Sequence, residues 1–172
     1  MAKLRIARNL EASIIEHLKD HLAIAQWDDV IIEKSFSRIY GLQMSENSKQ
    51  AAICVRASDT NRKRIEIGSD AMLRSQLILL DVFATSDGQR LDLVDFLGSI
   101  LIGGIPYYNY NIFNGVVMER VQHGVIRVLT LEDKPVQFGV DKSSLDVQDR
   151  YRHLISLSCS LSHPEMPHCL GD

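Results

Sequence analysis

Cysteine is scarce in this chain: three in 172 residues, at Cys54, Cys159 and Cys169. An odd number at wide spacing leaves no disulfide framework and no CxxC half-site for a metal. Cys54 and Cys159 each fall in an apolar, strand-like run, which predicts small buried thiols. Neither sign of charge dominates, with 19 Lys and Arg against 22 Asp and Glu and a net charge of -3. That excludes a protein whose whole surface grips nucleic acid, although a local basic patch fits inside such a total. Long apolar runs are missing too. The longest, Leu91 to Ile105, is interrupted by Asp92 and Asp95 and is too short to span a bilayer. Lys3, Arg5 and Arg8 are followed by Glu11, Glu16, Lys19 and Asp20 before any apolar core of a secretory signal forms, so the expected compartment is the cytosol. No repeat, no low-complexity tract and no phosphate-binding glycine loop is present; Gly103 and Gly104 follow a helix where such a loop would open one.

What is there reads as one α+β domain over residues 1–163, with a flexible tail over 164–172. Leu4, Ala7, Leu10, Ile14, Leu18, Leu22 and Ala25 recur at three- and four-residue steps, predicting an amphipathic helix from 3 to about 26. Val30 to Phe36 is rich in β-branched residues and reads as a strand. The polar stretch Gln43 to Gln50 has no period and is expected to be mobile. Ala51 to Ser58 reads as a strand, Asp59 to Lys63 as a turn, and Arg64 to Ile67 as a short return arm. Met72 to Thr85 is longer than a usual strand, so a bend, bulge or projecting ribbon is expected. Its second half, LILLDVFA, is apolar on both faces except for Asp81, which places it centrally in a sheet covered on both sides. A second helix runs from Arg90 to Ile102, stopped by Gly103, Gly104 and Pro106. Tyr107 to Ile112, Val125 to Leu131 and Pro135 to Phe138 read as extended pieces. From Tyr151 onward, apolar and polar residues alternate as in a strand with one wet face. The predicted fold is two-layer α+β: a mixed, mainly antiparallel sheet with two helices packed on it.

Few residues offer chemistry. His17 and His21 stand at i and i+4, the spacing of a metal pair, but no third ligand is near in sequence and packing is the better reading. Asp81 with Glu132 and Lys134 matches the strand Asp plus E-x-K pattern of Mg²⁺-dependent nucleases. Pro135 follows at once, however, and points to a turn at Asp133 and Lys134. The plainer reading of Asp81 is a buried acid satisfied by an Arg on a neighbouring strand or subunit. No catalytic, cofactor-binding or metal residues are assigned, and no cofactor is expected. Three of the five tyrosines cluster at Tyr107, Tyr108 and Tyr110; interface anchoring and plain sheet packing both account for them, whereas a nucleic-acid platform lacks interleaved cations. Arg62, Lys63 and Arg64 make a short basic run at a predicted hairpin tip. Arg62, Arg64, Arg74, Tyr107, Tyr108 and Tyr110 are the candidate oligomer-interface residues.

The stretch EIGSDAMLRSQLILLDVFATSDGQRLDLVDFL, with the N-terminal helix, VIIEKSF and the closing DRYRHLISLSCSLS, resembles small phage head–tail joining (neck) proteins of the tail-terminator type. The resemblance spans roughly residues 4 to 162 and rests on a diffuse pattern, a strand ending in an Asp-x-Phe-Ala phrase and then a capped helix. It implies a structural virion protein, not an enzyme. Such a protein forms a homo-oligomeric, commonly hexameric, ring that meets the tail tube protein and the head connector. Genomic DNA passes through the lumen without sequence-specific binding, and no membrane is involved. The resemblance leaves open an adaptor, stopper or chaperone in the same assembly. The 43–50 loop and the Tyr segment match nothing in that pattern.

Overall fold

A computed structural model describes residues 6–42, 44–45, 49–64, 72–113 and 116–162; the side chains of 61–64, 72–74, 112, 113, 116, 118 and 162 lie outside that description. Helix α1 (Ile6–Ile24) buries Leu10, Ile14, Leu18 and Leu22, as its apolar spacing requires. Asn9 and Ser13 are buried beside them. Its end is a Schellman turn. Gln26 takes φ 59°, the Gln26 N–H donates to Ala23 O and the Trp27 N–H to Leu22 O, so orphan carbonyls of the last turn are satisfied without glycine. Strand β1 (Val30–Glu33) and short helix α2 (Phe36–Tyr40) follow, then β2 (Ala51–Arg64) and β3 (Met72–Phe83).

Helix α3 (Asp87–Leu101) starts at a capped turn: Ser86 Oγ accepts from the Gln89 N–H, and Gln89 Oε1 reaches back to accept from the N–H of Thr85, the residue before the cap, at 2.8 Å. Such reciprocal caps satisfy donors that the first turn cannot. The chain closes with β4 (Ile105–Phe113), β5 (Val116–Pro135), a 3₁₀ turn at Lys142–Ser144, short helix α4 (Val147–Arg150) and β6 (Arg152–Ser162).

The six strands order as β1-β2-β3-β6-β5-β4. The β1–β2 pair is parallel and every other pair is antiparallel. The α+β class and the mixed, mainly antiparallel sheet are therefore as expected. Helices α1 and α3 cover one face, with Ile53, Val55, Ile78, Leu80, Leu97, Ile126, Ile155 and Leu157 in the shared core. The far face has a second, smaller cluster of Ile39, Met44, Ala52, Cys54 and Phe83 beneath α2. β3 is thus central and covered on both sides toward its C-terminal end, which is what its apolar run foretold.

Several local expectations are corrected. Asp59 to Lys63 is no turn: β2 continues to Arg64 through an irregularity between Ala57 and Thr60, and it pairs with β3 in an unbroken ladder beyond it. The irregularity hides the strand period, and Asp and Asn there mimic a turn. Glu132, Asp133 and Lys134 lie inside β5, which runs to Pro135 opposite His153; Pro ends the ladder because it has no N–H to give. The first two strands form the sheet's parallel pair, joined by a crossover through α2. The 43–50 loop falls partly, and the 164–172 tail wholly, outside the described residues.

Candidate assembly surface

Two strand ribbons leave the sheet at the same end. In the first, β2 and β3 pair down to Arg64 and Met72, and Met72–Arg74 runs past the last β3–β6 pair at Ser75 and Ser160. In the second, the described part of β6 ends at Ser162 opposite Val125, so Val116–Gly124 of β5 have β4 on one side and no strand on the other among the described residues. Along β5, Val117, Val121, Val125 and Leu129 are between 39% and 53% exposed, an aliphatic series on a strand with a free edge. A third edge without a strand among the described residues lies on β2, because β1 pairs only as far as Cys54. Unpaired backbone edges of this length are templates for another strand.

Helix α1 sits between the two outer edges of the curled sheet and bonds to both. Ser13 Oγ accepts the Tyr108 N–H on β4 at 2.9 Å while donating to Asn9 O at 2.7 Å. Glu11 Oε2 accepts the Ala57 N–H on β2 at 3.0 Å. A short polar side chain thereby does on each edge what a neighbouring strand would do.

The predicted interface residues divide. Tyr107 is 1% exposed within the protein's own core, so its assignment as an interface anchor is corrected: the sheet's pleat turns it inward toward α1 and α3. Tyr108 and Tyr110 are half-buried against α1, where the Tyr110 hydroxyl donates to Glu16 at 2.6 Å, and burial pushes that phenol's pKa up. Arg120 also pairs with Glu16, and its guanidinium lies 4.5 Å from the Tyr108 ring centroid. Arg62 and Arg74 face each other across the β2–β3 ladder and Arg64 is opposite Met72; their side chains lie outside the described residues.

Asp81 and His17 are held in structural roles, whereas Glu132 and Lys134 are exposed. Both oxygens of Asp81, a residue 1% exposed, are occupied: Oδ2 by Arg56 Nη2 at 2.7 Å, Oδ1 by Arg152 Nε and Nη2 at 3.0 and 2.7 Å. The two guanidinium carbons lie 4.2 and 4.9 Å from the Phe36 ring centroid. This is the Arg-satisfied acid of the plainer reading. Lys134 stands opposite Leu154, itself opposite Asp81, so one whole strand separates the Lys from the acid. The geometry does not assemble Asp81, Glu132 and Lys134 into one site. Among the described residues no three His, Cys, Asp or Glu side chains converge as metal ligands. His17 donates Nε2–H to Ile100 O at 3.0 Å and its ring centroid lies 4.3 Å from that of His21. Burial lowers the His17 pKa.

His153 was not singled out in sequence. It is 4% exposed and bridges Arg90, whose Nη1 is 2.7 Å from Nδ1, and Asp133, whose Oδ1 is 2.9 Å from Nε2. An arginine only donates, so Nδ1 is the bare nitrogen and Nε2 carries the proton toward Asp133. This bridge ties the start of α3 to the ends of β5 and β6.

Burial pushes the Cys54 thiol up to about 11 and the Cys159 thiol up to about 12. The two lie on opposite faces of the sheet, one in each apolar cluster. No described helix is long and apolar enough to cross a membrane. No family of known proteins matches this chain, and no curated protein matches it either.

Proposed function

We propose that this chain is a structural, non-enzymatic component of a phage particle that forms a homo-oligomeric ring at the head–tail junction, in the manner of a tail terminator. The observation that carries this reading is the pair of ribbons leaving one end of the sheet with strand edges that are unpaired among the described residues, at β5 116–124 and along β2 beyond Cys54. Two different edges on one molecule permit a heterologous contact, and a heterologous contact that closes on itself makes a ring. Six copies, with the tail tube protein on one side and the head connector on the other, is the arrangement the sequence resemblance implies. DNA would pass through the lumen, and a slightly acidic chain suits a channel in which DNA slides without sticking. Asp81, the one buried acid of the nuclease pattern, is engaged by Arg56 and Arg152, which favours a structural role for it.

The test is electron microscopy and cross-linking mass spectrometry of assembled tails or particles containing the protein. The expected result is a ring whose intermolecular cross-links fall on residues 58–64, 72–75 and 116–124. Absence of the protein from particles overturns the function. A ring whose contacts avoid those segments overturns the interface.

A further inference from the structure

The outer face of α1 forms the floor of a groove bounded by β1 on one side and the β4–β5 ribbon on the other. Two depressions of about 440 and 520 Å³ meet over α1, sharing Ile15, Lys19 and Lys34 as lining. Between them the walls carry Arg8, Lys19, Lys34 and Arg38 against only Glu16 and Glu33. Both acids are already engaged, Glu16 by Arg120 and the Tyr110 hydroxyl and Glu33 by Arg38 at 3.4 Å. Lys34 is partnered by Glu11 at 3.5 Å, whereas Arg8 and Lys19 have no ion-pair partner among the described residues. The groove is thus locally cationic on a chain whose net charge is -3. One wall is β1, which pairs only with β2 and contributes Ile32 to the lining, leaving its other edge without a strand among the described residues.

We infer that this groove docks an extended, acidic segment of a partner protein, which adds as a strand to the free edge of β1 and sets its carboxylates against Arg8, Lys19 and Lys34. Strand addition uses the edge's spare N–H and C=O groups for affinity and alternate side chains for selectivity. The side chains on the inward face of the bound strand then meet Ile15 together with Arg8 and Lys19 on α1. Interleaved Glu16 and Glu33 fit a peptide of mixed character better than the unbroken charge of a nucleic-acid backbone. This inference goes beyond the ring reading and stands without it, because it concerns a single copy in solution.

The test uses the full chain and a labelled peptide of alternating Glu and Val, followed by fluorescence anisotropy and by amide chemical shifts. The expected result is saturable binding, with shifts concentrated in α1 and β1. The double substitution Arg8→Glu/Lys19→Glu, at two exposed positions, should weaken it about tenfold or more, since each reversal replaces a weak attraction by a weak repulsion. Lys134→Glu, an exposed change at the far end of β5, should leave it unaltered. Salt at about 0.5 M should weaken it as well. N-methylating alternate peptide residues on the edge-facing side should abolish it. Equal binding of the N-methylated peptide overturns strand addition. Absence of saturable binding, insensitivity to the double reversal, or tighter binding of single-stranded oligothymidylate overturns the acidic-peptide assignment. None of these outcomes bears on whether the chain forms a ring.

Discussion

Asparagine at position 81 would keep the shape of the aspartate and remove its charge, and the structure gives the cost. Both carboxylate oxygens accept from guanidinium groups. Whichever way an amide turned, its NH₂ would confront one of the two arginines, so a charge-assisted bond becomes a donor–donor clash. The acid is buried, while the Arg56 and Arg152 side chains are 35% and 16% exposed. Removing one partner of a buried ion pair costs about 3–5 kcal/mol. Because Arg56 is a third open to water, solvent relieves part of this, and the lower end, about 3 kcal/mol, is expected. For a chain of this size about 1 kcal/mol moves Tm by about 2–4 °C, giving a fall of about 6–12 °C. Urea unfolding should show a lower midpoint at unchanged m. The companion variant Arg56→Met/Asp81→Leu/Arg152→Met removes all three charges and keeps apolar contact with Phe36. It should be more stable than Asp81→Asn, since it leaves no buried charge unpaired. The reasoning fails if Asp81→Asn lies within about 1 kcal/mol of the parent, or if the triple variant is the less stable of the two.

Three further outcomes are expected. The lowered pKa of His17 means the unfolded chain binds more protons than the folded one, so stability is lost as pH falls below the ordinary histidine value of 6.5; His17→Gln, which retains a donor for Ile100 O, should flatten the stability–pH slope in that range, and an unchanged slope would count against the assignment. Cys54 and Cys159 should resist a thiol reagent at pH 8 in the native state and react on unfolding, because both are buried and their thiols are pushed up to about 11 and 12; rapid native labelling of either would refute this. Ser13→Ala deprives the Tyr108 N–H of its acceptor and should cost about 2 kcal/mol, with hydrogen exchange at Tyr108 accelerated beyond that at Ile126, so uniform exchange across the sheet would argue against an edge role.

Where hydrophobic period and backbone pairing coincide, the fold could be read from the residues. The stripe from Leu10 to Leu22, the LILLDVFA run and the alternation from His153 to Cys159 each have one dominant period, and each became the element it announced. The misreadings lie where pairing departs from that period. Asp59 and Asn61 look like turn residues, yet Asp59 falls in the irregularity between Ala57 and Thr60, and Asn61 pairs with Ser75 in the ladder that continues beyond it. The first third of β5 carries Glu119, Arg120, Gln122 and His123, so no apolar alternation marks it; the signal overlooked is Asn114–Gly115, the dipeptide preferred at two-residue hairpins. The interface candidates fared unevenly for a related reason. Tyrosine composition says nothing about which face of a strand it occupies, and Tyr107 points inward. The α1 groove and the His153 bridge bring together residues far apart in sequence, which no local pattern could announce.

The placement of α1 between the two edges also fixes when this protein can mature. Its partners on β4 lie far down the chain: Ser13 bonds Tyr108, Glu16 bonds Tyr110 and Asn9 bonds Asn109, at sequence separations of 95, 94 and 100. At a synthesis rate of about 5–20 residues per second, about 5–20 s pass between the making of α1 and the making of those partners. The β4–β5 hairpin can then form from local contacts, but seating α1 requires a long loop to close first. Until that happens the edge of β4 that Ser13 would cover stays open to any passing strand. A newly made copy would therefore complete its fold late, when the helix made first finally reaches its place.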